Sequence, residues 1–319
     1  MSAHDKQDDI DRIVTLSTSD LVSAAAPPTR QAERLAGVRA EEPARSGPAA
    51  AILTAAPGTV FSPHAPVLRL EPWGEPHRNL NLLDVLAVVQ RWREAILAHS
   101  NGLPERVRGV LSGHEPGGAP LDRPHLMFLP LASVGHERAD GRLLAVALVL
   151  PGDMRQDDRR IALRAIRSVQ RLVLGRLGAW NIVPDINASS TVNLRPQAWN
   201  AQPDGATHWS TVTPVAFDRH PKTDSGGEYQ REAAAMIATA CTRVGLPEPR
   251  EVIVTQVSAH LGVPPAFAFP RLRRKDNSER RHTHAILVFE RPVCGPILIG
   301  AGRFRGYGVC RAIGERGTP

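Results

Sequence analysis

Cysteine is scarce. Cys241, Cys294 and Cys310 are the only three in 319 residues, too few and odd in number for a disulfide framework, and they fit a reducing, cytoplasmic setting. Aromatic residues make up only 4% of the chain, which argues against a platform of stacked rings as the main binding device. No apolar run approaches the roughly 20 residues needed to cross a bilayer. The N-terminal stretch MSAHDKQDDIDRIV is acidic and has no apolar core, so neither a membrane span nor a secretory leader is expected. Acid is the minority charge: 32 Asp and Glu stand against 39 Lys and Arg, a formal net charge of +7.

That excess favours a polyanionic partner, because each Lys or Arg placed on a phosphate releases condensed counterions. Hydrophobic content of 42% is ample for packed cores, and the length suits one large or two ordinary domains.

Residues 1–66 read as a weakly structured or disordered tail, rich in Ala, Pro and Arg around AAAPPTRQAERLAGVRAEEPARSGPAAAILTAAPG. From there the element signals become regular. APVLRLEPW (65–73) reads as a strand, and Asn79 or Asn81 is placed to cap a helix running to about residue 98. Leu82, Leu86, Val89, Trp92 and Ile96 share one face of it. HLMFLPL and RLLAVALVLP are two strands joined through Asp140–Gly141. A second helix is expected from Asp157 to about Arg176, with Arg160, Arg164, Arg167 and Arg171 near one face; AWNIVP and VNLRPQAW follow as closing strands. The order β-α-β-β-α-β is ferredoxin-like.

A second, partial copy follows, with a helix over 228–244, strands at EVIVTQVS, HTHAILVFE and GYGVCRAI, and a Gly-rich turn in place of the second helix. The expected fold class is therefore α+β, two tandem ferredoxin-like domains over 67–202 and 203–319, the second with a C-terminal Gly-rich loop.

That loop, VCGPILIGAGRFRGYGVCR, carries Gly300, Gly302, Gly306 and Gly308 beside Arg303, Arg305 and Arg311. Glycine permits close backbone approach, successive N–H groups can form an anion site, and the arginines add donors for a phosphate chain. No Gly-Lys-Ser/Thr follows, so it is not a Walker loop, and no long helix follows as in a dinucleotide fold. The run RLRRKDNSERRH places Arg271, Arg273, Arg274 and Lys275 in a second basic loop suited to a nucleic-acid backbone.

Two ferredoxin-like domains ending in such a loop resemble the RAMP superfamily of CRISPR-associated proteins. The segments SGHEPGGAPLDRPHLMFLPL, VGHERADGRLLAVALVLP, HWSTVTPVAFDRHPK and GPILIGAGRFRGYGVCR are similar, in order, to the RNA-processing half of the fused Cascade subunit of type I-G (formerly I-U) systems. Members of that family carry a further RAMP domain ahead of this half; here the region is short and Ala/Pro-rich, as in a split or shortened form. The resemblance implies binding of CRISPR repeat RNA or guide RNA, company with other Cascade subunits, and cutting of repeat RNA without a metal or cofactor. In that reaction a ribose 2′-OH attacks the adjacent phosphate. An inert RNA-binding subunit is the alternative.

Such chemistry needs a base, an acid and positive charge on the phosphorane. The resemblance points to histidines between the first helix and the following strands: His114 first, then His125 and His136, with Arg108 and Arg123 as nearby cations. His282 and His284 form an H-x-H on a strand, but with no third ligand at convincing spacing no metal site is expected.

Overall fold

The computed structural model describes residues 56–75, 78–185, 191–223, 226–274 and 276–314; most of the expected tail, and Lys275, lie outside them. The first half opens with strand β1 (Val67–Trp73), then helices α1 (Val85–Ala98) and α2 (Glu105–Ser112), strands β2 (Met127–Ala132) and β3 (Leu143–Val149), helix α3 (Gln156–Arg167), and strands β4 (Arg171–Val173) and β5 (Ala179–Pro184). The sheet order is β2-β3-β1-β5-β4, every pairing antiparallel. Without β4, which only extends the edge at β5, this is the ferredoxin-like order.

Local chemistry explains the element ends. Asn81 Oδ1 accepts from Leu83 N at 2.9 Å, and Asp84 Oδ2 accepts from Asn81 N at 2.9 Å, a reciprocal cap that starts a 3-10 turn leading into α1. Val85, Val88, Val89, Trp92 and Ile96 of α1 are buried, the 3.6-residue stripe that packs on the sheet. Helix α2 was not expected from the sequence; it closes on Gly113 in the left-handed region.

Two other segments differ from expectation. Helix α3 stops at Arg167 rather than Arg176, because Arg171–Val173 pairs with Ala179–Asn181 of β5. Arg171 therefore leaves the helical row and lies over the Trp73 ring, 3.9 Å from its centroid. VNLRPQAW is not a strand. It forms a 3-10 turn at Val192–Leu194 and the short helix α4 (Gln197–Asn200) behind Pro196, held where buried Trp199 donates to Asn193 O at 2.8 Å.

The second half contains β6 (Ala206–Thr211), β7 (Val215–Ala216), α5 (Gly226–Thr242), β8 (Glu251–Thr255), β9 (His282–Val293), β10 (Ile297–Leu298) and β11 (Val309–Ala312). Its sheet runs β10-β11-β6-β9, with β7 continuing beside β9 and β8 pairing β9. The series β11-β6-β9-β8 is again ferredoxin-like. Where the second helix belongs, the Gly-rich segment makes only a 3-10 turn, Arg303–Arg305. The fold is two ferredoxin-like units, α+β.

Residues 56–66, which the composition groups with the tail, are packed. Phe61 is buried and bridges Pro151, Val60 N donates to Val244 O at 2.9 Å, and Cys294 N donates to Pro57 O at 2.8 Å. This strap touches both halves. So does Arg311 of β11, which donates to Val134 O at 2.7 Å and Ala198 O at 3.2 Å.

Candidate functional site

The Gly-rich loop folds back onto the first half. Gly306 has φ +77, and a Cβ there would meet Val85 Cγ1 of α1 at 2.6 Å; a Cβ on Gly308, φ +70, would fall on the Ile299 carbonyl oxygen. Only glycine lets the backbone come this close. The loop's N–H groups are largely committed to protein: Ala301 to Ala216 O, Arg305 and Tyr307 to Gly302 O, Gly308 to Pro214 O. Gly300, Gly302, Gly306 and Gly308 are all buried. They shape the loop rather than lay out an open row of donors, so its side chains present the charge.

Those side chains meet the sequence-predicted histidines. Phe304 stacks on His125, ring centroids 3.4 Å apart and planes 20° from parallel. The other edge of His125 lies on Gly113, where a Cβ would approach Nε2 to 2.6 Å. Burial, reinforced by the charges of Arg303 and Arg93 and opposed by a hydrogen bond to Arg123 O, pushes the His125 pKa down to about 4. Its ring is neutral at pH 7. With Nδ1 3.3 Å from Arg123 O, the proton sits on Nδ1.

His114 is exposed on the turn after α2. Its Nδ1 lies 2.9 Å from Ser112 O, and in the tautomer that donates to this carbonyl Nε2 keeps a free lone pair. Arg93 of α1 donates to the same carbonyl and lies 3.3 Å from His114 Nδ1. A cleft of about 420 Å³ opens beside His114, lined also by Glu105, Arg108 and Glu115.

Arginine surrounds this pair. Arg303 is half-buried, donates to Gly300 O at 3.1 Å and covers Phe304 at 4.4 Å, while Arg305 is exposed. The hairpin after residue 270 adds two more. Arg280 reaches Phe217 O and Asp218 O, and the charges of Arg274 and Arg305 join burial in lowering its pKa. Arg274 keeps Nε and Nη2 buried with no hydrogen-bond partner among the described residues. Arg280 belongs to the basic run that the sequence marks, whereas Arg93 carries no such signal: an arginine on a helix face has no local mark of what a distant loop brings to it.

The other predicted residues fall elsewhere. His136 follows β2, bonded to Ser133 Oγ at 3.3 Å. It lies at the opposite end of that strand from His125, on the order of 20 Å away by strand rise. Arg271 pairs with Glu279 at 3.4 Å, and Arg273 is exposed on the hairpin. His284 is buried with Nδ1 against Thr211 Oγ1 and Nε2 against Pro264 O, and His282 donates to Ala266 O. His284 is engaged by protein through both ring nitrogens and His282 through one. Among the described residues, no helix is long and apolar enough to cross a membrane, and no group of three or more His, Cys, Asp or Glu is placed to hold a metal ion.

Several solved structures are similar to this chain at low sequence identity. Cas6b is similar over 78% of this chain and 99% of its own, with TM-score 0.41 and 11% identity. Csf5, a type IV Cas6 crRNA endonuclease, is similar over 78% and 99%, with TM-score 0.35 and 15% identity. The product of a Cas6-related gene from Pyrococcus furiosus is similar over 79% and 99%, with TM-score 0.38 and 10% identity. No curated protein sequence matches the chain significantly. The sequence pattern of one family does match, across residues 26–312, nearly all of the chain described above. The chain belongs to the GSU0054 family of CRISPR-associated proteins.

Proposed function

We propose that the protein binds CRISPR repeat RNA at the junction of its two halves and cuts it without a metal. The observation that carries this reading is the convergence of His114 and His125 with Arg93, Arg303 and Arg305, drawn from opposite halves of a CRISPR-associated chain. Phosphate is the chemistry such a cluster suits, since no carboxylate forms an ion pair with any of the three arginines among the described residues.

His114 is the base. Its Nε2 takes the proton of a ribose 2′-OH, the 2′ oxygen bonds to the adjacent phosphorus, and the bond from phosphorus to the 5′ oxygen breaks. The 5′ oxygen takes a proton from water, giving a cyclic phosphate and a 5′-OH. Arg93 and Arg305 stabilise the charge of the phosphorane. His125, neutral and clamped between Phe304 and Gly113, shapes the floor beneath the scissile phosphate. Other Cascade subunits are the expected partners, in a system of the type I-G kind, with Arg271, Arg273, Arg274 and Lys275 following the RNA backbone.

An inert RNA-binding subunit is the second reading, favoured by the burial that holds His125 neutral and so denies the leaving oxygen an imidazolium acid from that ring. The test incubates the protein with its own repeat RNA in EDTA, alongside His114→Ala and His125→Ala. Single-site cutting that is lost in His114→Ala with binding retained supports the enzyme. Salt-sensitive binding with no cutting by wild type means the inert subunit. Without either, the RNA reading fails.

A further inference from the structure

A second recess lies beyond Tyr307, away from the histidine cluster. It is lined by Tyr229, Gln256, Phe267, Arg271, Arg281 and His282, with a volume of about 200 Å³. Whole small-molecule sites run from roughly 300 to 1,000 Å³, so this one suits a single ring system. His282 forms its link to the Gly-rich loop, edge-on to Tyr307 with centroids 6.0 Å apart.

Phe267 is 77% exposed, the most exposed large hydrophobic side chain among the described residues. Its backbone is nonetheless held firmly. Ala266 N donates to Gln256 O at 2.8 Å, Ala268 N to Pro265 O at 3.0 Å and Phe269 N to Ala266 O at 3.1 Å. Buried Ala266 and Phe269 anchor the turn on both sides. A ring presented to solvent from a rigid turn costs little further entropy when something stacks on it.

The remaining walls are polar and basic. Gln256 is exposed and offers both a donor and an acceptor, the pairing that an Asn or Gln amide makes with a base edge. Arg271 and Arg281 supply positive charge, and Arg281 is close enough to Tyr229 to act on its hydroxyl. Glu279 pairs with Arg271 at 3.4 Å. His282 donates from Nε2 to Ala266 O at 2.8 Å, and among the described residues nothing donates to its Nδ1.

From these features we infer that the recess holds one unpaired nucleotide of the bound RNA, its base stacked on Phe267 and read by Gln256, its phosphate met by Arg271 and Arg281. The inference rests on the RNA reading above and deepens it: the substrate has a single-stranded flank beside whatever is held at the histidine cluster. The hairpin 271–281 joins the two places, with Arg274 and Arg280 toward the Gly-rich loop and Arg271 and Arg281 at the recess.

The experiment measures binding of two repeat RNAs by fluorescence anisotropy, one a hairpin with an eight-nucleotide single-stranded tail and the other trimmed of it. Wild type should bind the tailed RNA more tightly. Phe267→Ala, at an exposed position that leaves the core intact, should weaken binding of the tailed RNA about tenfold and leave the trimmed one unchanged. Gln256→Ala should act on the same RNA only, to a smaller extent. Equal affinities of wild type and Phe267→Ala for the tailed RNA would overturn the inference, as would an equal loss on both RNAs. Failure of wild type to bind either RNA would instead overturn the RNA reading on which it rests.

Discussion

Arg93 and Arg305 come from opposite halves of the chain, and the charge of Arg305 adds to burial in lowering the Arg93 pKa. Neither forms an ion pair among the described residues. Two guanidinium groups held this way repel each other until an anion arrives.

Replacing one of them should separate binding from stability. Arg305→Ala should lower RNA affinity about five- to tenfold and reduce the slope of log affinity against log salt by about 1. Its melting temperature should equal or exceed wild type, because a repulsion is removed. Salt titration and thermal melts on the same sample check both halves of this expectation; unchanged affinity would take Arg305 out of the interface.

The glycines of the loop should not tolerate even a methyl group. Gly308→Ala places its Cβ on Ile299 O at a positive φ, which should cost upwards of about 2 kcal/mol and abolish RNA binding as the loop shifts. Gly117→Ala, whose new Cβ meets nothing within 4 Å, should stay within about 0.5 kcal/mol of wild type. Urea unfolding of the two variants tests the contrast, and equal stabilities would mean the loop has room to move.

Acid should weaken the fold before the carboxylates protonate. Burial pushes His260 and His284 down to about 4 each, below the usual value near 6.5. The unfolded chain therefore binds more protons between pH 6.5 and 4, so stability rises with pH across that window and levels off above it. At pH 5 each residue should cost on the order of 1–2 kcal/mol relative to pH 7.5. His125, held near 4 in the same way, adds to the effect, so a His284→Asn variant should lose about a third of the dependence. A flat unfolding free energy from pH 7.5 to 5 would contradict this account.

All three cysteines are buried and free, and burial pushes the Cys241 thiol up to about 12 and raises Cys294 and Cys310 as well. Thiolate, not thiol, is the nucleophile. A colorimetric thiol reagent should therefore find almost no reactive cysteine in the native protein at pH 8, and three after denaturation. Rapid labelling of a folded sample would show that one of these sites opens.

Much of the fold is legible because its signals are local. The apolar stripe of α1 starting after Asn81, the continuous apolar runs of β2 and β3, and the glycines where a helix belongs all lie in short windows. The misreadings occur where local signals are ambiguous. Residues 168–176 continue a helical pattern, and pairing with β5 makes them a strand instead; α2 is only eight residues long and its pattern is brief. The site divides in the same way. His114 and His125 were reachable from the resemblance and their neighbourhood, whereas the stack of Phe304 on His125 joins residues far apart in sequence, and no window contains both. His136 sits in the same stretch as the other two, yet β2 carries it to the far end of the sheet.

The Gly-rich loop also sets an order of events during synthesis. Domains of a nascent chain fold from the N-terminal side as they emerge, so His114 and His125 are in place while residues 300–311 are still to be made. Until those residues arrive, His125 lacks its Phe304 cover, Arg93 lacks its Arg305 neighbour, and Val134 O and Ala198 O lack the Arg311 that joins the halves. On the proposed function, the groups that would act on RNA are translated early and completed last.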